Sequence, residues 1–165
     1  MIGYSRLTTV TIPQRTLTKS YPAIAGSVPQ ARHELAELAV AAGASPERLE
    51  AVQLAASEAL TNAVLHAYPD GPGAIHVTAA VASTELWVLV ADDGCGLEIR
   101  TQRPGLGLGL ALIAQAANDF TIGPRANRGV ELQMRFDLAS GGHGQERGSV
   151  ISARAPASRR FSTAM

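Results

Sequence analysis

The sequence predicts an α+β fold, a two-layer sandwich with helices on one face of a mainly antiparallel mixed sheet. The main observation is the order of the patterns: two helical segments come first, and most of the β-rich runs follow them with one helix between. Doubly wound parallel folds instead alternate strand and helix regularly. The length of 165 residues gives room for one compact domain with a hydrophobic core and is too short for two of usual size.

The first half of the chain predicts one strand and two helices. The run RLTTVTIPQRTL, residues 6–17, alternates enough for an edge strand, although it contains a proline. In GSVPQARHELAELAVAAG, residues 26–43, apolar residues at helical spacing follow a candidate cap at Ser27 and precede a terminal glycine. In SPERLEAVQLAASEALTNAVLHAYPDG, residues 45–71, Ser45 is the predicted N-cap, a proline takes the first helical position and Pro-Asp-Gly ends the helix.

The second half predicts strands with one helix among them. Two runs rich in β-branched and aromatic residues, separated by a short turn, indicate a hairpin. A glycine-rich stretch and an apolar helix follow, and two further strands close the domain. In chain order these elements are AIHVTAAVA at 74–82, ELWVLVADD at 85–93, the helix at about 110–118, FTIGP at 120–124 and VELQMRFDL at 130–138.

Composition limits the partners and the compartment. Fourteen basic and fourteen acidic residues balance at a pI near 6.9, so no overall field draws the chain to nucleic acid or to an anionic membrane. The single cysteine, Cys95, has no internal disulfide partner, which fits a reducing compartment. Residues 1–14 lack the apolar core of a signal peptide, and no run has the length of a membrane span. We expect a cytoplasmic protein with a disordered, arginine-bearing tail at 139–165.

Three polar residues recur at intervals of four in SEALTNAVLHAY: Glu58, Asn62 and His66. Each step of four advances roughly 40° around an α-helix, so they form a slowly drifting line at the rim of the apolar face. A carboxylate there can take a proton from a hydroxyl, and an amide oxygen is a ligand suited to Mg²⁺. The alternative is the ordinary polar boundary of an amphipathic helix, and the helix alone does not decide between the two.

A second candidate motif follows the hairpin, in VADDGCGLE. Asp92 ends an apolar strand, where its carboxylate can accept a hydrogen bond from an amine. Gly94 and Gly96 permit a tight turn and a close approach of the backbone to a ligand. The alternative is a simple turn that ends the strand, and the motif taken alone favours it.

A third motif, RPGLGLGLALI, places Gly105, Gly107 and Gly109 directly before an apolar helix. Free amides near a helix N-terminus can hold phosphate. The pattern matches neither the Walker loop nor the dinucleotide fingerprint G-x-G-x-x-G after a strand, so the usual nucleotide folds are disfavoured. A flexible glycine hinge is the alternative interpretation.

In this order the three motifs resemble the N, G1 and G2 boxes of the Bergerat-fold ATPase domains, which gyrases, sensor histidine kinases and mismatch-repair proteins share. Within that group the chain is most similar to the small anti-sigma factor serine kinases. The resemblance covers residues 27–138. It implies an ATP-binding kinase-like domain there, preceded by a strand and lead-in at 1–26 and followed by the tail at 139–165.

The resemblance implies a role for each matching residue. Asn62 would ligate Mg²⁺ that bridges the phosphates of ATP, and Glu58 would be the general base that activates a serine hydroxyl or water. Asp92 would accept a hydrogen bond from the adenine amino group. Gly94 and Gly96 would let the chain pass close to the base.

The third motif would form a lid over the phosphates of ATP or ADP. Its glycines would be the hinge, and backbone amides would donate to phosphate from Leu106, Gly107, Leu108, Gly109 and Leu110. Arg100 and Arg103, in the presumed lid, either reach the γ-phosphate or are solvated loop arginines. His66 either lies beside the nucleotide or packs at the helix end.

The implied function is an anti-sigma regulator, a homodimer that holds a sigma factor inactive and phosphorylates a serine of a small antagonist protein. One departure weakens the inference of catalysis. The family commonly has Gly-Gly-Thr before its last strand, where this chain has Arg128, Gly129 and Val130, without a hydroxyl. The alternative is a nucleotide-dependent protein-binding switch that transfers no phosphate. A sensor histidine kinase fragment with His33 as phosphoacceptor is disfavoured, because a helical hairpin around His33 is missing.

Overall fold

The fold is an open antiparallel sheet with its helices packed on one face. A computed structural model describes residues 15–98, 106–126 and 128–139. All neighbouring strands in these residues pair antiparallel, and the predicted α+β class is confirmed. The elements are β1 (Arg15–Pro22), α1 (Ser27–Ala41), α2 (Pro46–His66), β2 (Ala74–Ala82), β3 (Glu85–Asp92), α3 (Leu106–Ala116), β4 (Asp119–Pro124) and β5 (Val130–Asp137), and the sheet order is β1-β2-β3-β5-β4.

Side chains alternate along the strands, so that one face of the sheet is apolar and buried. The residues between the buried ones on β5 are exposed or half-buried. This alternation is typical of an antiparallel sheet that is covered on one side only. The hairpin predicted from the sequence is confirmed as β2 and β3, with Val77 opposite Val90. The buried residues of β5 are Val130, Leu132, Met134 and Phe136.

Helix α2 packs its apolar side against the core, and small side chains bring it close. The predicted N-cap is confirmed, since the Ser45 hydroxyl accepts a hydrogen bond from the Arg48 N–H at 3.3 Å. Alanines dominate the buried side, which keeps the helix axis near its neighbours. The buried residues include Val52, Ala56, Ala59, Leu60 and Ala63.

Two predicted helix ends are wrong. Gly26 is the N-cap of α1, while Ser27 is already helical and buried, because its N–H donates to the Ile24 carbonyl at 3.0 Å and closes the preceding turn. Helix α3 begins at Leu106 rather than near residue 110. Two glycines therefore lie inside a helix, where each costs about 1 kcal/mol relative to alanine. Packing of α3 against α2 outweighs this local preference.

The first strand of the described residues continues beyond the predicted end at residue 17. β1 pairs with β2 along its whole length, from Arg15 opposite Val81 to Pro22 opposite Ala74. Leu17 and Tyr21 are on the same face of the strand, where Tyr21 is buried in the core and Leu17 packs against it. A proline at the end of an edge strand leaves no ladder donor missing. The remainder of the predicted strand, residues 6–14, lies outside the described residues.

The ends of the chain are described only in part. β1 belongs to the lead-in predicted at 1–26, so this part of the lead-in forms an edge of the sheet. Apart from Ala139, the tail expected to be disordered lies outside the described residues. In the part of the chain that the structure describes, no helix combines the length and the apolar character needed to cross a membrane.

Candidate functional site

The polar line of α2 reaches from the surface into the core. Asn62 is only 9% exposed, and its Nδ2 atom is buried with no hydrogen-bond partner among the described residues. Glu58 and His66, one turn to either side, are half-buried. Leaving a buried amide donor unpaired costs about 1–3 kcal/mol, so an unpaired amide at this place is typical of a site that is completed by a ligand.

Gly109 of α3 brings the third motif against the first. A Cβ atom at residue 109 would lie 3.0 Å from Oε2 of Glu58 and 3.1 Å from Nδ2 of Asn62. Gly107 has open space around it, and Leu108 is 72% exposed. Gly107 and Gly109 were expected in a loop before the helix, and both lie instead within the first turn of α3; their role as hinge and phosphate-binding end of the lid stays a prediction.

Asp92 and Asn62 line one cavity although 30 residues separate them in sequence. Asp92 is 2% exposed, and its Oδ1 accepts a hydrogen bond from the Gly94 N–H at 2.9 Å. The cavity measures about 20 Å³, room for roughly one water molecule, so a purine would enter only after its walls move apart. The apolar walls are Ala59, Ala63, Val90, Ile122, Val130 and Leu132.

The turn after β3 packs on the C-terminal end of α2. A Cβ atom at Gly94 would stand 2.2 Å from the Ala67 carbonyl oxygen, so a side chain there collides with backbone. The Cys95 N–H donates to the same oxygen at 2.8 Å, and its thiol donates to the His66 carbonyl at 3.1 Å. Gly96 has a φ of +85° with open space around it. Glycine is thus required at 94 by contact and favoured at 96 by conformation.

The loop between β4 and β5 also contacts the turn after β3. Gly129 has a φ of +95°, and a Cβ atom there would lie 1.9 Å from the Asp92 carbonyl oxygen. The Arg128 Nε–H donates to the Gly94 carbonyl at 3.1 Å. Val130 is 3% exposed and forms an apolar wall of the cavity. The position without a hydroxyl therefore lies at the cavity itself.

A larger, open groove adjoins this turn. Its volume is about 520 Å³, and it is lined by residues 67–72, residues 93–95 and Arg128. The size is within the range of small-molecule sites. Because both the turn and the end of α2 line it, the groove lies next to the two motifs that carry Asp92 and His66.

Comparison with known proteins decides the family. The model of the histidine kinase-like ATPase domain matches residues 21–136, which is most of the chain. This chain belongs to the histidine kinase-like ATPase family. The matched residues include every residue that lines the cavity, in α2, β3, β4 and β5.

Relatives of this ATPase domain are named either anti-sigma F factor or serine-protein kinase RsbW. The anti-sigma F factor of Clostridium acetobutylicum is 28% identical over 104 residues, 56% of this chain and 73% of that protein. The serine-protein kinase RsbW of Bacillus licheniformis is 39% identical over 77 residues, 46% of this chain and 48% of that protein. RsbW of Listeria monocytogenes is 34% identical over 92 residues, 55% of this chain and 59% of that protein. The chain thus spans about half the length of these RsbW proteins.

A solved structure shares the fold. The crystal structure of the RsbU and RsbW domains of a Mycobacterium tuberculosis protein has a TM-score of 0.60 and 24% sequence identity to this chain. The similarity covers 76% of this ATPase domain chain and 33% of that longer one. It therefore supports the architecture, an open antiparallel sheet with helices on one face.

One charged cluster beside the site was missed by the sequence analysis. The Asp93 carboxylate accepts from His76 Nε2 at 2.8 Å and pairs with the Arg125 guanidinium, while the Asp93 N–H donates to the Tyr68 hydroxyl at 2.9 Å. The hydrogen bond from His76 and the charge of Arg125 lower the pKa of Asp93 below its ordinary value. The alternation of side chains in VADD indicated that Asp93 faces away from Asp92, but nothing in the sequence indicated its partners.

Three of the predicted lid residues lie outside the described residues: Arg100, Arg103 and Gly105. Leu106 begins α3, and Leu110 is partly buried against the core. The structure therefore brings Glu58, Asn62 and Gly109 together, with Asp92 on the same cavity as Asn62.

The side chains at the cavity can be compared with the ligands that Mg²⁺ prefers. The described ranges contain no group of three or more His, Cys, Asp or Glu side chains arranged to hold a metal ion. Mg²⁺ usually keeps several waters and binds through one or two protein oxygens and substrate phosphates. The buried amide of Asn62, with Glu58 one turn away, fits that mode of binding and does not resemble an all-protein metal cage.

Proposed function

We propose that this ATPase domain binds Mg²⁺ and ATP at the cavity between α2 and strands β3, β4 and β5, with the first turn of α3 beside Asn62. The observation that carries the proposal is the buried, unpaired amide of Asn62 on the same cavity as the buried carboxylate of Asp92. Polar groups buried in an apolar cavity are normally satisfied. A nucleotide would satisfy the Asn62 amide with its phosphates, and its base would bring a further donor to the Asp92 carboxylate, which already accepts from the Gly94 N–H.

Each side chain has a defined task in this proposal. Asp92 accepts a hydrogen bond from the exocyclic amine of adenine, while the apolar walls cover the faces of the ring. The Asn62 oxygen ligates Mg²⁺, which neutralises phosphate charge when bound. Glu58 accepts the proton of the attacking hydroxyl, and amides of the first turn of α3 donate to the phosphates.

We propose further that the protein is an anti-sigma regulator with serine-protein kinase activity. Support comes from relatives named anti-sigma F factor and serine-protein kinase RsbW. In this reading it is a cytoplasmic homodimer that holds a sigma factor and phosphorylates a serine of an antagonist protein. Residues 27–138 form the ATP-binding unit, with 1–26 as lead-in and 139–165 as tail.

A calorimetric titration with ATP, ADP and GTP, with and without Mg²⁺, tests nucleotide binding. We expect Mg²⁺-dependent binding of ATP and ADP, weak binding of GTP, and a loss of about tenfold or more in ATP affinity for Asp92→Asn. Asp119→Asn, at an exposed carboxylate on β4, is the control and should bind like the wild type. Equal affinity of the wild type and Asp92→Asn for ATP would contradict the assignment.

One observation favours a second function. Val130 forms an apolar wall of the cavity at the position where the anti-sigma factor kinases commonly have a threonine hydroxyl. The residues of the site therefore suit the binding of a nucleotide better than the transfer of its phosphate. A nucleotide-dependent protein-binding switch would show that behaviour. Incubation with γ-labelled ATP and soluble protein of the host distinguishes the two: the kinase labels a serine of a small protein, and the switch binds ATP but labels nothing.

A further inference from the structure

We propose that Asp93 and Tyr68 are positioning residues that set the adenine selectivity of the site by fixing the carboxylate of Asp92. This inference rests on the proposed nucleotide binding and names the part of the protein that controls its specificity. Neither residue lines the cavity that contains Asp92 and Asn62. Both line the larger groove beside it, so their effect on the carboxylate in the cavity passes through the backbone of the turn.

The two neighbouring aspartates have opposite surroundings. Asp92 is buried and faces the cavity, whereas the side chain of Asp93 is 57% exposed on the other side of the strand end. Only one peptide bond separates their Cα atoms, and the peptide unit is planar and stiff. A group that fixes the Asp93 N–H thus also limits where the Asp92 backbone, and with it the carboxylate, can lie.

Asp93 joins three separate elements. Its carboxylate binds His76 of β2 and Arg125 of the β4–β5 loop, and its N–H binds the hydroxyl of Tyr68 in the loop after α2. The His76 ring is held in turn, since its Nδ1 lies 2.8 Å from the Ser20 hydroxyl of β1. The turn is consequently held by groups from both flanks of β3, which limits its rotation.

Tyr68 is itself rigidly placed. Its hydroxyl donates to the Ala74 carbonyl at 2.6 Å while it accepts from the Asp93 N–H. Its ring covers Gly73 so closely that a Cβ atom there would lie 2.2 Å from the ring carbons. The hydroxyl thus ties the start of β2 to the end of β3, directly beside the carboxylate that would read the base.

Selectivity is the property that such positioning controls. ATP presents an amine at the position where ITP presents a carbonyl oxygen, and the adjacent ring nitrogen N1 is an acceptor in ATP but carries a proton in ITP. A carboxylate in the right place favours the amine and disfavours the oxygen, because its lone pairs only accept. A carboxylate with more freedom loses much of this preference, since hydrogen bonds weaken steeply as their geometry worsens.

The experiment is calorimetry with ATP and with ITP, both with Mg²⁺, on the wild type, Tyr68→Phe and Asp93→Ala. We expect ATP affinity to fall about tenfold in both variants while ITP affinity changes by less than about twofold. The ratio of ATP affinity to ITP affinity should therefore decrease. Asp93→Asn keeps one acceptor oxygen and should restore part of the ratio. Tyr21→Phe, which removes a hydroxyl that donates to Glu34 elsewhere, should leave the ratio unchanged.

The possible results separate the two proposals. If the wild type binds neither nucleotide, the proposed function fails and this inference fails with it. If the wild type prefers ATP but the variants lose ATP and ITP affinity equally, the two residues have only a structural role and the inference is overturned. Melting curves identify a variant that does not fold. Tyr68→Phe removes a single oxygen atom, so it keeps the test available if Asp93→Ala is unfolded.

Discussion

Gly109 of α3 lies against Glu58 of α2, so closely that a methyl group on Gly109 would stand 3.0 Å from the carboxylate oxygen Oε2. Asn62 lies at nearly the same distance from that position, with Nδ2 at 3.1 Å. The absence of a side chain at residue 109 therefore controls the space around both polar groups. This contact is a packing reason for a glycine at this position of the helix.

The Gly109→Ala variant should fold but bind Mg²⁺ and ATP about tenfold more weakly. The atoms that a new Cβ meets are the ends of two side chains, which can move by a few tenths of an ångström. Such a movement shifts the groups proposed to bind metal and to accept the proton, while alanine raises helix propensity by about 1 kcal/mol. Calorimetry and thermal melting, measured on the same sample, check both parts.

Gly107→Ala is the matched comparison, because it lies in the same helix with open space around it. It should raise the melting temperature and weaken nucleotide binding much less than Gly109→Ala does. Similar affinities for the two variants would show that the contact with Glu58 and Asn62 does not matter for binding.

Glu58→Ala should retain binding of Mg²⁺ and ATP but lose most release of phosphate. The proposed task of Glu58 is to accept a proton during transfer, and general bases typically contribute 10²–10⁴-fold to rate. Release of labelled phosphate from ATP, with calorimetry alongside, separates chemistry from binding. Glu50→Ala removes an exposed carboxylate from the same helix and should hydrolyse ATP like the wild type. A Glu58→Ala variant that hydrolyses ATP at the normal rate would remove this residue from the chemistry.

Gly129→Ala should destabilise the domain by about 2–4 kcal/mol, as expected for a backbone conflict. The residue has a φ of +95°, and an added Cβ atom would lie 1.9 Å from the Asp92 carbonyl oxygen. The free energy of unfolding from urea titration checks this value. Gly123→Ala, with nothing within 4 Å and an ordinary φ, should change it little; equal losses in the two variants would contradict the proposed collision.

Stability should fall as the pH drops below about 5. The hydrogen bond from Lys19 lowers the pKa of Glu34, and the hydrogen bond from His76 lowers that of Asp93. A carboxyl whose pKa is lower in the folded state stabilises it above the unfolded pKa of about 4. This contribution is lost as the pH falls through the lowered folded value.

Glu34→Gln should therefore flatten the acid side of the stability curve, which denaturant titrations between pH 3 and pH 7, roughly the range over which carboxyls titrate, will measure. Glu37→Gln is the control on the same helix, because the Glu37 side chain is 67% exposed and lies 3.5 Å from His33. A curve for Glu34→Gln that keeps the slope of the wild type would show that the Lys19 pair does not contribute to acid sensitivity.

The parts of the fold that the sequence predicted are those set by local physics. Ser45 followed by a proline specifies a helix start, and the two β-rich runs with a short turn between them specify the hairpin. The start of α3 was not predictable in this way, because the glycine-rich stretch has low helix propensity. Its helical form depends on contact between Gly109 and α2, which lies far away in sequence.

The residues of the candidate site also fall into a group that the sequence predicted and a group that it did not. Glu58, Asn62 and Asp92 were selected by their motifs, and the structure brings Asn62 and Asp92 to one cavity; their roles stay predictions. The partners of Asp93 depend on sheet pairing, which sets His76 opposite Ala91 two residues away. A single sequence does not specify the register of strands separated by a turn, so this cluster required coordinates.

The only thiol of the chain has a practical use. Cys95 lies in the turn after β3, half-buried, with its sulfur donating to the end of α2. A fluorescent label attached there needs no introduced cysteine and no removal of competing ones. Its emission would report, in real time, whether the helix end and the turn separate when a nucleotide arrives.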